Sequence, residues 1–207
     1  PSFEYEADTE IAEISGLTLI KVMEALSFDN PANRNYRILL ARSMANYAFG
    51  FSEWNMMQYQ ATDPAKAELH KLRAKRFYEN GKHHGMTVLK KKGKFKKALN
   101  KDIATFKDAL KSFGKGDVPA LFWTGFNWGG LINMSKDSPL AIIELPKAEA
   151  LMARALELDE HFYFSSGNLF FGVSYGSRPK MFGGNPELSK KHFERALAAY
   201  ERKFLLA

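Results

Sequence analysis

In a chain without cysteine, chemistry has to come from histidine, serine, acids and bases. Its five histidines are His70, His83, His84, His161 and His192. No two stand at the i, i+4 spacing that lets one helix face hold a metal ion, and the adjacent His83 and His84 point to different faces. Ser165, Ser166, Ser174 and Ser177 lack the strand–turn–helix setting that exposes a nucleophilic serine. Gly-Lys pairs occur at 81–82, 93–94 and within 114–116, without the phosphate-loop spacing or a following Ser or Thr. The residues therefore form no catalytic set and no metal site, and they imply no cofactor.

Binding is better supplied. Over Asp117–Asn133, Phe122, Phe126 and Gly129 share one helical face, and Trp123, Asn127 and Gly130 share the next. Aromatics on adjoining faces cannot all enter one narrow packing seam. Phe122 and Phe126 are expected in the core. Trp123, Asn127 and Trp128 are candidates for a concave groove, where an apolar wall with a few polar groups suits a small ligand. Asn168 and Tyr175, on the equivalent helix further on, could line the same groove; plain repeat core is the competing reading. Residues 176–184 form a Gly- and Pro-bearing insertion that offers Arg178, Lys180, Met181 and Phe182. Arginine, methionine and aromatics are enriched in interface cores, so these four are candidates for a partner or assembly surface. The segment could equally be a connector whose Met181 and Phe182 tuck back on their own helices.

The elements that would position these residues read as helices throughout. Strand alternation and hairpin dipeptides are absent. Two segments can be superposed: Ala148 to Leu156 and Ser189 to Leu197. Each carries a small residue, a bulky one four positions on, and alanine three beyond that: Ala148/Met152/Ala155 and Ser189/Phe193/Ala196. Those spacings put all three on one stripe, where small residues admit a neighbouring helix closely. This is the second-helix signature of a tetratricopeptide repeat. The marker alanines Ala155 and Ala196 stand 41 residues apart, against about 34 for the usual repeat, and the 176–184 insertion accounts for the difference. Ala74/Tyr78/Gly81 and Thr18/Val22/Ala25 show the same spacing. The expected fold is all-α, a short solenoid of antiparallel helix pairs.

Residues 1–8 read as an irregular lead-in and 9–207 as one helical-repeat domain. Asp8 or Thr9 caps a first helix whose stripe is Ile11, Ile14, Leu17, Thr18, Val22, Ala25 and Leu26; Asn30-Pro31 ends it. A second helix opens at Asn33 or Asn35 and runs to about Gln60. Asp63-Pro64 starts a long helix reaching about Lys91, with a split near Gly81 or Gly85 as the alternative. Ala141 to Glu157 reads as one helix or as two divided at Pro146. The apolar end Phe204-Leu205-Leu206-Ala207 carries no cap, so the natural protein is expected to continue.

Composition is that of a folded soluble chain: 207 residues, 45% hydrophobic and 26% charged. The net charge of +7 is uneven: residues 61–120 carry 16 basic and 6 acidic residues, whereas residues 1–60 carry 4 and 8. The peak, Lys90 to Lys97, is almost all lysine with one aromatic and no nucleic-acid-binding motif. It reads as a solvated helix end, and nucleic acid is not an expected partner. No apolar run reaches the roughly 20 residues that span a bilayer.

Three stretches together resemble a known family: Val118 to Gly125, Leu145 to Asp159, and Gly183 to Leu197. In this order they are similar to the T component associated with TRAP transporters (TatT), a helical-repeat family. The resemblance is good over 117–204 and looser over 9–92. It implies a non-enzymatic periplasmic lipoprotein that works beside the solute-binding protein of a TRAP transporter. It alone favours a homotrimer. The lipidated cysteine is not in this chain, so membrane attachment would need an anchor upstream of Pro1.

Overall fold

The computed structural model describes residues 6–136 and 138–199. The lead-in expected at 1–8 lies mostly outside them, as does the uncapped end at 204–207. Among the described residues there is no strand, and the fold is all-α. The main helices are α1 (Thr9–Asp29), α2 (Arg34–Tyr47), α3 (Trp54–Tyr59) and α4 (Pro64–Leu89). They continue with α5 (Gly93–Ala98), α6 (Ile103–Leu110), α7 (Val118–Asn133), α8 (Pro139–Ile143), α9 (Leu145–Leu158), α10 (Phe162–Gly176) and α11 (Pro186–Ala199).

Short polar residues start these helices by accepting from the free amides of the first turn. Asp8 accepts from Glu10 and Ile11, Asn33 from Asn35 and Tyr36, Asp63 from Lys66, and Asp102 from Thr105. The long helix α4 runs unbroken through Gly81 and Gly85, because both glycines are packing sites. A β-carbon on Gly81 would lie 2.2 Å from Asn127 Oδ1, and one on Gly85 2.1 Å from Thr124 Oγ1. Residues 141–157 divide into α8 and α9, with Pro146 in the first turn of α9. The second helix reaches α3 through a π-helical turn, Ala48–Glu53. There Glu53 enters the interior and accepts from the hydroxyl of buried Tyr78. Burial pushes both groups up: the Glu53 carboxyl lies above its ordinary value, and the Tyr78 phenol lies well above its own.

The long helices pack on one another in chain order, with the short elements between them set aside. α4 lies against α2 and α7, α7 against α9, and α10 against α11, while α1 covers α2. Such a succession is compatible with a short stack of helix pairs. The repeat markers occupy these crossings. Ala148, Met152, Ala155, Ser189 and Ala196 are buried, and so are Ala74, Tyr78 and Gly81 on α4. The first helix departs from expectation. Thr18, Val22 and Ala25 are exposed, with Ile11, Ile14 and Leu26 beside them, while Ala12, Gly16, Ile20, Met23 and Ser27 are buried. A shift of two positions turns a helix by about 200°, so the buried stripe is the opposite one. Its small residues at 12, 16 and 27 let α1 lie close on α2, and the larger apolar set is left outside.

The lysine-rich segment is partly structural. Lys92 Nζ lies 2.9 Å from Asp117 Oδ2 and donates to the Ser112 carbonyl at 2.6 Å. Lys94 pairs with Asp108 at 2.8 Å, while Lys90, Lys96 and Lys97 face solvent. These pairs hold α5 and α6 to the start of α7, whose Asp117 Oδ2 also accepts from the Gly114 amide.

Candidate ligand cleft and partner loop

α7 has neighbours on all sides, α2, α4, α9 and α10, so its aromatic faces are filled all round. This corrects the groove expected there. Trp123 is buried with its ring against Tyr163 (4.7 Å between centroids) and Phe122 (4.8 Å). Asn127 is fully buried, and its Nδ2 donates to the carbonyls of Ala41 (2.8 Å) and Trp123 (2.7 Å). Its Oδ1 occupies the space that a side chain on Gly81 would need and has no hydrogen-bond partner among the described residues. Trp128 is buried on another side, where Nε1 donates to Glu144 at 2.7 Å beneath the ammonium of Lys82. α7 has several packing partners and not one, so aromatics on its adjoining faces each find a neighbour.

Asn168 and Tyr175 do lead to a cleft, at the other end of the molecule. α11 lies tight on α10 because Ser189 Oγ donates to the Gly172 carbonyl at 2.7 Å. The ring of Phe193 fills the space that a side chain on Gly172 would need. Beside this seam, α9, α10 and α11 leave an open cleft of about 420 Å³. Leu156 and Phe171 give it apolar surface, Tyr175 and His192 add rings, and Glu157, Glu160 and Arg195 bring charge. Phe171, Tyr175 and His192 stack mutually: His192 is 5.3 Å from Phe171 and 5.8 Å from Tyr175, with planes inclined by 29° and 23°.

Asn168, buried, fixes the imidazole. Its Oδ1 lies 2.8 Å from His192 Nδ1, and its Nδ2 points to Glu160 Oε1 at 3.4 Å. An amide oxygen only accepts, so Nδ1 carries the hydrogen and Nε2 is left as an acceptor. Burial, and then the charge of Arg195, hold His192 below its ordinary value, against an opposing pull from Glu160. Asn168 and Tyr175 were legible in the sequence. Phe171, His192, Arg195, Glu157 and Glu160 were not, because they come from three elements with no shared spacing.

The turn into α10 is strained. Tyr163, Phe164 and Ser165 have φ of 46°, 58° and 55°, a left-handed run that costs L-residues about 1–2 kcal/mol each. Ser165 Oγ donates to the Glu160 carbonyl at 3.0 Å, and Asn46 Nδ2 to the Tyr163 hydroxyl at 3.1 Å. The turn swings Tyr163 under Arg42, whose guanidinium lies 5.3 Å from the ring centre. Nothing in the sequence signals it, since aromatics disfavour positive φ.

In the inserted segment, Lys180–Phe182 form a 3₁₀ turn. Arg178 is engaged inside the fold: its guanidinium meets Glu149 at 2.7 Å, donates to the Ser174 carbonyl at 2.7 Å, and lies over Tyr175. It braces the turn rather than standing as a free cation. Lys180 is exposed; Met181 and Phe182 are 83% and 62% exposed and do not tuck back on the helix pair.

An all-helical chain with closely stacked crossings, an open mixed-polarity cleft and a braced apolar loop has the build of a binding or scaffolding protein. It belongs to the family of TRAP transporter T-components, whose model matches residues 5–207. The match therefore includes the first half, where the motif resemblance was looser. An uncharacterized protein of Treponema pallidum (strain Nichols) is 24% identical over 195 residues, 93% of this chain. The chain spans 60% of that relative's length. Among the described residues no helix is long and apolar enough to cross a membrane.

Proposed function

We propose that this chain is a non-enzymatic accessory component of a TRAP-type periplasmic transport system and docks on the system's periplasmic solute-binding protein through the 176–184 loop. The observation that carries this reading is the pair Met181 and Phe182, held out to solvent on a turn that Arg178 ties to Glu149. A fixed apolar pair loses little conformational entropy on docking, which suits it as an interface anchor. Family membership supports the transport role. The same reading puts the chain in the periplasm, on a lipid anchor carried upstream of Pro1, and self-associated as a homotrimer.

Calorimetric titration of the chain with its cognate solute-binding protein tests the docking. Phe182→Ala and Arg178→Glu are expected to weaken binding at least ten-fold, the first by removing an anchor and the second by releasing the brace. If both leave that binding and self-association unchanged while the helical circular dichroism is intact, the loop is a connector. A second reading, a small-ligand carrier independent of a protein partner, is favoured by the cleft between α9, α10 and α11.

A further inference from the structure

We propose that the cleft between α9, α10 and α11 binds a free α-amino acid with an aromatic side chain, its ring against Tyr175 and His192, its carboxylate toward Arg195 and its ammonium toward Glu160. This deepens the carrier reading and rests on it. The cleft volume of about 420 Å³ falls in the range of small-molecule sites, roughly 300–1,000 Å³. The rings of Tyr175 and His192, backed by buried Phe171, supply planar apolar surface, which a flat side chain covers better than a branched one.

The charges select among ligands that share that ring. Glu157 is already paired with Arg154 at 2.8 Å. Glu160 makes a single long contact, to Asn168 at 3.4 Å, and keeps its second oxygen for a ligand. Arg195 makes no ion pair or hydrogen bond among the described residues. Both line the cleft together with His192. A simple anion would meet uncompensated Glu160, and a simple cation would meet Arg195. A zwitterion satisfies both.

The test is calorimetric titration of the intact chain with L-tryptophan, tryptamine and indole-3-propionate. L-tryptophan is expected to bind at least ten-fold more tightly than either analogue. Arg195→Met should abolish its advantage over tryptamine, and Glu160→Gln its advantage over indole-3-propionate. Tyr175→Leu should weaken all three. Either analogue binding as tightly as tryptophan refutes the zwitterion but leaves the carrier reading standing. No heat with any of the three up to millimolar ligand overturns the amino-acid proposal. Phe182→Ala should bind tryptophan like the parent chain, so failure of the docking reading shows separately.

Discussion

His84 on α4 should make this fold lose stability between pH 7 and pH 5. Its Nδ1 lies 2.9 Å from Arg37 Nη1. A guanidinium only donates, so Nδ1 is an unprotonated acceptor. Burial first, then the charges of Arg37 and His83, hold the imidazole at about 4 instead of 6.5, against a smaller opposing effect of Glu24. Between those values the unfolded chain takes up a proton that the folded chain refuses. The stabilisation is therefore complete above the unfolded value and is lost as pH falls toward the folded one. At about 1.4 kcal/mol per unit, the loss from pH 7 to pH 5 is about 2 kcal/mol, and solvent screening of a half-buried ring trims it to about 1–2 kcal/mol. His84→Gln keeps an acceptor for Arg37 and takes no proton. His70 and His192 shift in the same direction as His84, and Glu53 in the opposite sense, but both proteins contain them and they cancel in the comparison. Urea unfolding followed by the helical signal at pH 7 and pH 5 should show the parent losing about 1–2 kcal/mol more than the variant. Equal losses would refute the account of His84.

Two packing predictions follow from the crossings. Ala155→Leu places a branched side chain where α9 meets its neighbours and should cost about 1–3 kcal/mol; a melting midpoint equal to the parent's would contradict the repeat alignment. Gly85→Ala sets a methyl group 2.1 Å from Thr124 Oγ1, whose hydroxyl already donates to the Ala120 carbonyl. It should lower stability by a similar amount, about 1–3 kcal/mol. Adding Thr124→Ala should recover most of that in chemical denaturation, and a double variant no better than the single one would place the strain elsewhere.

The helices were legible because their signals are local. Asp8, Asn33 and Asp63 act on amides two or three residues away, and the small–large–alanine spacing lies within one helix. The stripe of α1 was misread because periodicity reports two apolar faces there without saying which one α2 covers. Close packing chose the face with Gly16 and Ala12, where backbones can approach. The groove at Trp123 and Asn127 failed for a related reason: how many partners α7 has is a property of the whole stack. The cleft lies further from sequence reasoning still. His192 becomes oriented only when Asn168 is brought to it from another element.

Tyr175 joins the two candidate surfaces into one mechanical unit. Its ring lines the cleft and stacks on His192, and the Arg178 guanidinium lies 5.8 Å from its centre. Its carbonyl accepts from the Asn185 amide at 2.9 Å, at the far end of the inserted segment. Arg178 in turn holds Ser174 and Glu149, so the loop bearing Met181 and Phe182 is tied at both ends to the wall of the cleft. The loop is thus not an independent tether that happens to sit near a pocket. Its exposed pair is set by the same contacts that shape the wall of the cleft, and the Tyr175 substitution that tests the cleft also acts on a residue that supports the loop.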